Sequence, residues 1–164
     1  MSVTKNEFRA ALGRFASGVT VVTTRDASGK PHGITVSAFC SVSLEPPLVL
    51  VCIEKTTGSH DAFLESEFFV VNILAENHEN LSNHFASSVP DKFDGVDYRD
   101  GIGEIPVLTQ ASVTLECRLV HAYEGGDHTI FVGLVEKSEV KDENPLIYWH
   151  GNYRKLESYQ NSER

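Results

Sequence analysis

The chain is poor in reactive groups and has no long apolar run. Its 164 residues include one methionine, one tryptophan and three cysteines, and the longest apolar stretch, Leu48 to Ile53, is six residues. A bilayer-spanning helix needs about 20 apolar residues, and the polar stretch from Met1 to Arg9 lacks the apolar core of a signal peptide. Neither membrane insertion nor export is expected. Cys40, Cys52 and Cys117 are odd in number and far apart, which argues against a disulfide framework and for reduced thiols in a cytoplasmic protein. Positive charge is also short. Fourteen Lys and Arg are scattered against 23 Asp and Glu, a net charge of −9, which excludes nucleic acid and anionic membrane as partners.

The common catalytic signatures are missing too. There is no G-x-G-x-x-G after a strand, no Walker loop, no H-E-x-x-H and no paired C-x-x-C, which removes the strongest signals for dinucleotide folds, P-loop enzymes and common zinc sites. The seven histidines do not cluster at ligand spacing, so no metal site is expected. Ser37, Ser41 and Ser43 sit in no nucleophile elbow, and no Ser-His-Asp order supports hydrolysis.

What remains is a globular pattern, 41% hydrophobic and 23% charged, of a size that suits one domain over 1–164. Thr4 and Glu7 have capping-box spacing, and Phe8, Ala11, Leu12 and Phe15 follow at helical intervals, predicting an opening amphipathic helix that Ser17-Gly18 ends. Residues 19–24 and 34–37 flank a turn at Asp26 to Gly29 and read as a hairpin; Leu48 to Ile53 and Phe68 to Ile73 read as strands. Ser59 reads as the N-cap of a short helix, and Leu81 and Phe85 mark the inner face of another. Residues 87–109, with two prolines and three glycines, read as a long loop. Residues 113–119, 129–136 and 146–149 complete at least six strands, the first two joined by a turn at Glu124 to Asp127. Short turns between strands favour a barrel, mainly β with flanking helices, over a doubly wound parallel sheet.

The densest chemical feature is Gly33 to Leu48, a run of small and hydroxylated residues ending in Pro46-Pro47. Small side chains let a ligand approach the main chain, and hydroxyls with backbone N–H groups supply donors without a buried fixed charge. By itself such a stretch is also compatible with a polar loop between strands.

The order T-x-S-x-F-x-S-V-S-L-x-P-P-L-V in this stretch resembles the short flavin reductases, which fold as FMN-binding split β-barrels. The likeness extends to Arg14 to Thr23, Phe69 to Leu74, Leu81 to Ala86, Asp91-Lys92-Phe93, Gly126 to Gly133 and Pro145 to Tyr148. The resemblance implies that Thr35, Val36, Ser37 and Ala38 line the isoalloxazine and ribityl side of a flavin. It also implies that Ser41, Val42 and Ser43 hydrogen-bond its polar edge and that Ser59 faces its phosphate, where a helix N-terminus favours an anion. Asp61 departs from the pattern, standing where many relatives carry a hydroxyl, so it either turns away or weakens the phosphate contact. Lys92 is the candidate phosphate cation, with Phe93 beside the ring and Lys55 as a second candidate; on residues alone Lys92 is equally a solvated loop lysine. The resemblance places His128 at the reduced nicotinamide, where a neutral imidazole can donate and accept, and has Tyr148 and Tyr153 close over the groove. On residues alone His128 is a turn histidine and Trp149 a packing residue.

The implied activity is an NAD(P)H:flavin oxidoreductase that passes a hydride from NADH or NADPH to FMN or FAD. The family further implies a homodimer and delivery of reduced flavin to a separate flavin-dependent monooxygenase. Because the cofactor carries such chemistry, missing catalytic motifs are expected. Two other readings are a flavin-binding electron carrier without nicotinamide turnover and a split-barrel oxidase acting on an organic substrate. The oxidase would want an arginine cluster, and the seven arginines form none.

Overall fold

The structure, a computed structural model, describes residues 3–157. Helix α1 (Lys5–Leu12) forms where the capping box predicts: the Glu7 N–H donates to the Thr4 hydroxyl, and the Thr4 N–H donates to the Glu7 carboxylate at 2.9 Å. Gly13 ends it, ahead of the predicted stop at Ser17-Gly18. None of its residues is buried, and Phe8, Leu12 and the following Phe15, which is 77% exposed, face outward. The apolar stripe read from the sequence is present, but it does not pack on this chain's own barrel.

After β1 (Ser17–Gly18) come β2 (Thr20–Arg25), β3 (Pro31–Val36), β4 (Phe39–Leu44) and β5 (Pro47–Glu54). Next are α2 (His60–Glu65), β6 (Phe68–Ile73), α3 (Glu79–Ala86), β7 (Tyr98–Asp100) and β8 (Pro106–Leu108). The chain closes with β9 (Val113–Gly125), β10 (His128–Val140), β11 (Ile147–Trp149) and β12 (Asn152–Arg154). Seven strands form one antiparallel sheet in the order β3-β2-β6-β9-β10-β5-β4. Its two outermost strands, β3 and β4, are consecutive in the chain and separated only by Ser37-Ala38. A two-residue link holds strand ends within about 10 Å, so the sheet curls until its edges meet there, a barrel split between β3 and β4.

Val22, Val36, Val51, Ile53, Phe69, Val71, Cys117 and Phe131 fill the barrel. On the other face of β2, Val21 packs with Leu74, Phe85, Leu108 and Leu146 in a second cluster beneath α3. A strand covered on both sides shows no polar alternation, which is why Val19 to Thr24 reads as continuously β-branched. Both hairpin turns lie where predicted, at Asp26 to Gly29 and Gly125 to Asp127, but β9 and β10 run to 13 residues each.

Two sequence readings need correction. The run Phe39 to Leu44, read as part of a ligand cradle with a polar loop as the alternative, is edge strand β4, with a bulge between Ser41 and Ser43. The predicted loop 87–109 contains β7 and β8, paired antiparallel, and buries Ile105, Val107 and Leu108. Asn72 pins it: the Leu108 N–H donates to Asn72 Oδ1 at 2.9 Å, and Asn72 Nδ2 donates to the Val21 carbonyl at 2.9 Å. Three-residue strands are too short to show a period, and burial supplies what local pattern does not. Among the described residues no helix is long and apolar enough to cross a membrane.

Candidate functional site

Two clefts lie end to end along β3. The wider, about 440 Å³, is bounded by Lys30 to Ile34, by the turn Thr56 to Ser59 before α2, and by Ala86 to Lys92 after α3. The narrower, about 340 Å³, is lined by Thr35 and Ser37 of β3 and its exit, Ser82 and Asn83 of α3, and Tyr148, Gly151 and Tyr153. Ala86 borders both.

Gly33, on the floor of the wide cleft, is itself buried and has no room for a side chain: a Cβ there would stand 2.6 Å from the Phe85 ring. The Gly33 carbonyl accepts from Lys92 Nζ at 3.1 Å and from the Ser59 hydroxyl at 3.4 Å. Lys92 Nζ also donates to the Phe85 carbonyl at 2.8 Å. An ammonium has three N–H donors, so one has no partner among the described residues. Burial pushes the Lys92 ammonium below the ordinary lysine range, since a low-dielectric site disfavours charge that no anion balances. His84 Nε2, bonded to the Lys92 carbonyl at 2.8 Å, holds the loop in place.

Ser59 does stand at the N-cap position of α2, but its side chain caps nothing and turns to Gly33 instead. Asp61 turns away: its carboxylate is 91% exposed and meets His60 Nδ1 at 3.2 Å.

The narrow cleft is tied by hydroxyls. Thr35 Oγ1 donates to the Ser82 carbonyl at 2.6 Å, the Ser82 and Tyr153 hydroxyls share a 2.8 Å hydrogen bond, and Tyr153 Oη donates to Asn83 Oδ1 at 3.0 Å. Tyr148 pairs with Tyr153 across β11 and β12, their rings edge to face at 5.5 Å.

The structure thus brings Thr35, Ser37, Tyr148 and Tyr153 together, and Ser59 with Lys92. It places the others elsewhere. Val36 points into the barrel, and Phe93 lies in the second core against Phe85 and Tyr98 rather than beside a ligand ring. Ala38 is exposed at the β3–β4 join, while Ser41, Val42 and Ser43 line neither cleft and occupy the bulge of β4. Lys55 is not a free cation: it pairs with Glu124 and donates to the Gly126 carbonyl.

His128 opens β10 opposite Glu54 and borders neither cleft, yet its neighbour Thr129 bonds His60 Nε2 at 2.9 Å. That contact sets the Asp127-His128 turn beside the turn before α2. His128 Nδ1 bonds Asp127 Oδ1 at 2.7 Å, and that hydrogen bond holds the Asp127 carboxyl below its usual range. Lys30, His32, Thr56, Thr57, Ser82 and Asn83 line the clefts although the sequence reading assigned them no role. Only Ser82 and Asn83 lay inside a quoted motif, and a polar residue at a strand end or turn carries no signal until the fold shows what it faces.

The sequence profile described as "Flavin reductase like domain" matches residues 12–157. The chain belongs to the flavin reductase-like family. It is 40% identical over 157 residues to the reductase subunit of a flavin-dependent monooxygenase of Rhodococcus jostii (strain RHA1), covering 95% of this chain and 80% of that one. It is 42% identical over 145 residues to a probable flavin reductase of Rhizobium meliloti (strain 1021), covering 88% of this chain; the match spans about half, 47%, of that longer relative. Among solved structures, the NADH:FAD oxidoreductase of Streptomyces globisporus C-1027, in complex with NAD and FAD fragments, superposes with a TM-score of 0.89 at 35% identity, covering 96% of this chain and 95% of that one. The split barrel described above is the flavin reductase fold. The residues present also suit a flavin: the two clefts fall in the size range of cofactor sites, one supplies hydroxyls and aromatic rings, and the other an ammonium with a free donor.

Proposed function

We propose that this flavin reductase-like chain is an NADH-dependent flavin reductase that binds FMN or FAD along β3. The observation that carries this reading is Lys92, whose half-buried ammonium has no anionic partner among the described residues and keeps one donor without a partner among them, close to the Ser59 hydroxyl. These two groups take the flavin phosphate, and Thr35, Ser37, Tyr148 and Tyr153 enclose the ring side. The flavin supplies the redox chemistry by accepting a hydride from the nicotinamide. The protein's own part is to orient both cofactors and exclude water. Asp127 occupies His128 Nδ1, which leaves Nε2 to bind the nicotinamide nucleotide at the adjoining turn.

The assembly is a homodimer, because α1 leaves Phe8 and Leu12 uncovered and β4 leaves Val42 and Leu44 uncovered, Leu44 by 96%. Exposed apolar side chains on a helix face and on an edge strand favour association. The chain works as one domain over 1–164 in the cytoplasm, consistent with its three free thiols, and delivers reduced flavin to a separate monooxygenase, as the name of its Rhodococcus relative suggests.

Anaerobic mixing of the purified protein with NADH or NADPH and excess FMN or FAD tests this. Rapid multiple turnover, followed as bleaching of oxidised flavin, is expected. Flavin that binds but is reduced by neither nicotinamide would overturn the reading in favour of a carrier.

A further inference from the structure

On a chain of net charge −9, the wide cleft is lined by Lys30, His32 and Lys92 and by one carboxylate, Asp91, with a second, Asp26, bonded to His32 behind the lining. Asp91 Oδ1 is already engaged by the Phe93 N–H at 3.0 Å. The three basic groups are not at one point. Lys92 is bonded to Gly33, whereas His32 lies one residue and Lys30 three residues back along the chain toward the hairpin turn. At about 3.4 Å per residue in a strand, the cleft offers positive charge at its floor and again at its lip.

The lip is built rather than incidental. Asp26, in the hairpin turn, holds His32 Nε2 through Oδ2 at 2.9 Å, and its Oδ1 accepts the N–H groups of Ser28 at 2.9 Å and Lys30 at 3.0 Å. Hydrogen bonds from Ser28 and His32 hold the Asp26 carboxyl well below its usual range, so the anion that orients the ring is permanent near neutrality. The imidazole is therefore fixed with Nδ1 unpartnered among the described residues, and Lys30 Nζ likewise has no partner among them. As imidazolium, the ring donates from Nδ1 to a phosphate and is held between that phosphate and the Asp26 carboxylate.

FMN carries one phosphate, riboflavin none, and FAD two in succession followed by adenosine. We propose that His32, oriented by Asp26, and Lys30 bind the distal phosphate of FAD, so that this chain selects FAD over FMN. The inference rests on the reading that Lys92 takes the proximal flavin phosphate. His32 and Lys30 are specificity-determining contacts, and Asp26 is a positioning residue that acts through His32.

The test is direct binding of riboflavin, FMN and FAD, by quenching of flavin fluorescence, to the full chain and its Lys30→Gln, His32→Gln and Asp26→Asn variants, with the KM for NADH measured alongside. The wild type is expected to bind FAD about tenfold more tightly than FMN, and each variant to shrink that ratio about three- to tenfold, the net size of one ordinary hydrogen bond at a solvent-exposed lip. Lys30 is exposed, so Lys30→Gln keeps the test valid if the His32 or Asp26 variant misfolds. A wild type that binds FMN as tightly as FAD, or a ratio unmoved in Lys30→Gln, overturns the proposal. A raised KM for NADH with an unmoved flavin ratio also overturns it and assigns the lip to the nicotinamide nucleotide. A wild type that binds none of the three flavins instead overturns the reductase reading itself.

Discussion

Lys92 reaches across the wide cleft to Gly33, its ammonium 3.1 Å from the glycine carbonyl, and so holds the loop after α3 against β3. Replacing it with methionine keeps the apolar stem and removes the charge. The Kd for FMN is expected to rise about tenfold, while that for riboflavin, which has no phosphate, changes about twofold or less. Because the free protein holds the Lys92 proton less firmly than an exposed lysine would, FMN binding should weaken as alkaline pH is approached, before the ordinary lysine range. Riboflavin binding should stay flat over the same titration.

His128 is expected to govern the nicotinamide rather than the flavin. His128→Gln should raise the KM for NADH about tenfold in steady-state assays at saturating flavin. Asp127→Asn, which weakens the hold on Nδ1, should do so less. A variant in which only flavin affinity moves would remove His128 from the proposed role.

The outward stripe of α1 predicts a dimer that charge can split. Light scattering behind size exclusion should give about twice the 18.1 kDa chain mass, and Phe8→Glu combined with Leu12→Glu should return it to about one. Neither residue is buried in the chain itself, so circular dichroism should be unchanged.

Gly33→Ala introduces a methyl 2.6 Å from the Phe85 ring, in the second core. Overpacking of this kind destabilises by about 1–3 kcal/mol. Thermal melting should show the loss, and flavin affinity should fall with it because the same carbonyl anchors Lys92.

The thiols should separate by reactivity. Burial pushes the Cys117 thiol up to about 12 and raises that of Cys52, whereas Cys40 is exposed. At pH 8 only about one part in ten thousand of Cys117 is thiolate. Peptide mapping after brief iodoacetamide treatment should find Cys40 alkylated and Cys117 untouched until denaturant is added.

How much of this was legible beforehand differs by element. The capping box of α1, the hairpin at Asp26 to Gly29 and the strand Phe68 to Ile73 rest on neighbours a few residues apart, so local spacing sufficed to find them. The same spacing found α1 without saying what its apolar face packs on, since a helical period reports an apolar face but not what lies opposite it. It missed β7 and β8; β8 is buried against Val70 and Asn72 of β6, more than thirty residues away in the chain, and β7 only pairs with it.

The sequence by itself determined the short-range events, namely caps, turns and the alternation of β9, together with the motif order that places the chain among the flavin reductases. Only the tertiary structure decided which polar residues share a site. The sheet curls so that β3 lies between α3 and the turn before α2, and that closure brings Ser59 and Lys92 to the Gly33 carbonyl from 26 and 59 residues away. It also sends Val36 and Phe93 into the two cores and leaves Lys30 and His32 at the lip of the cleft. The reason is physical: a cap or turn is satisfied within a few residues, whereas a cleft exists only where surfaces distant in the chain are packed together.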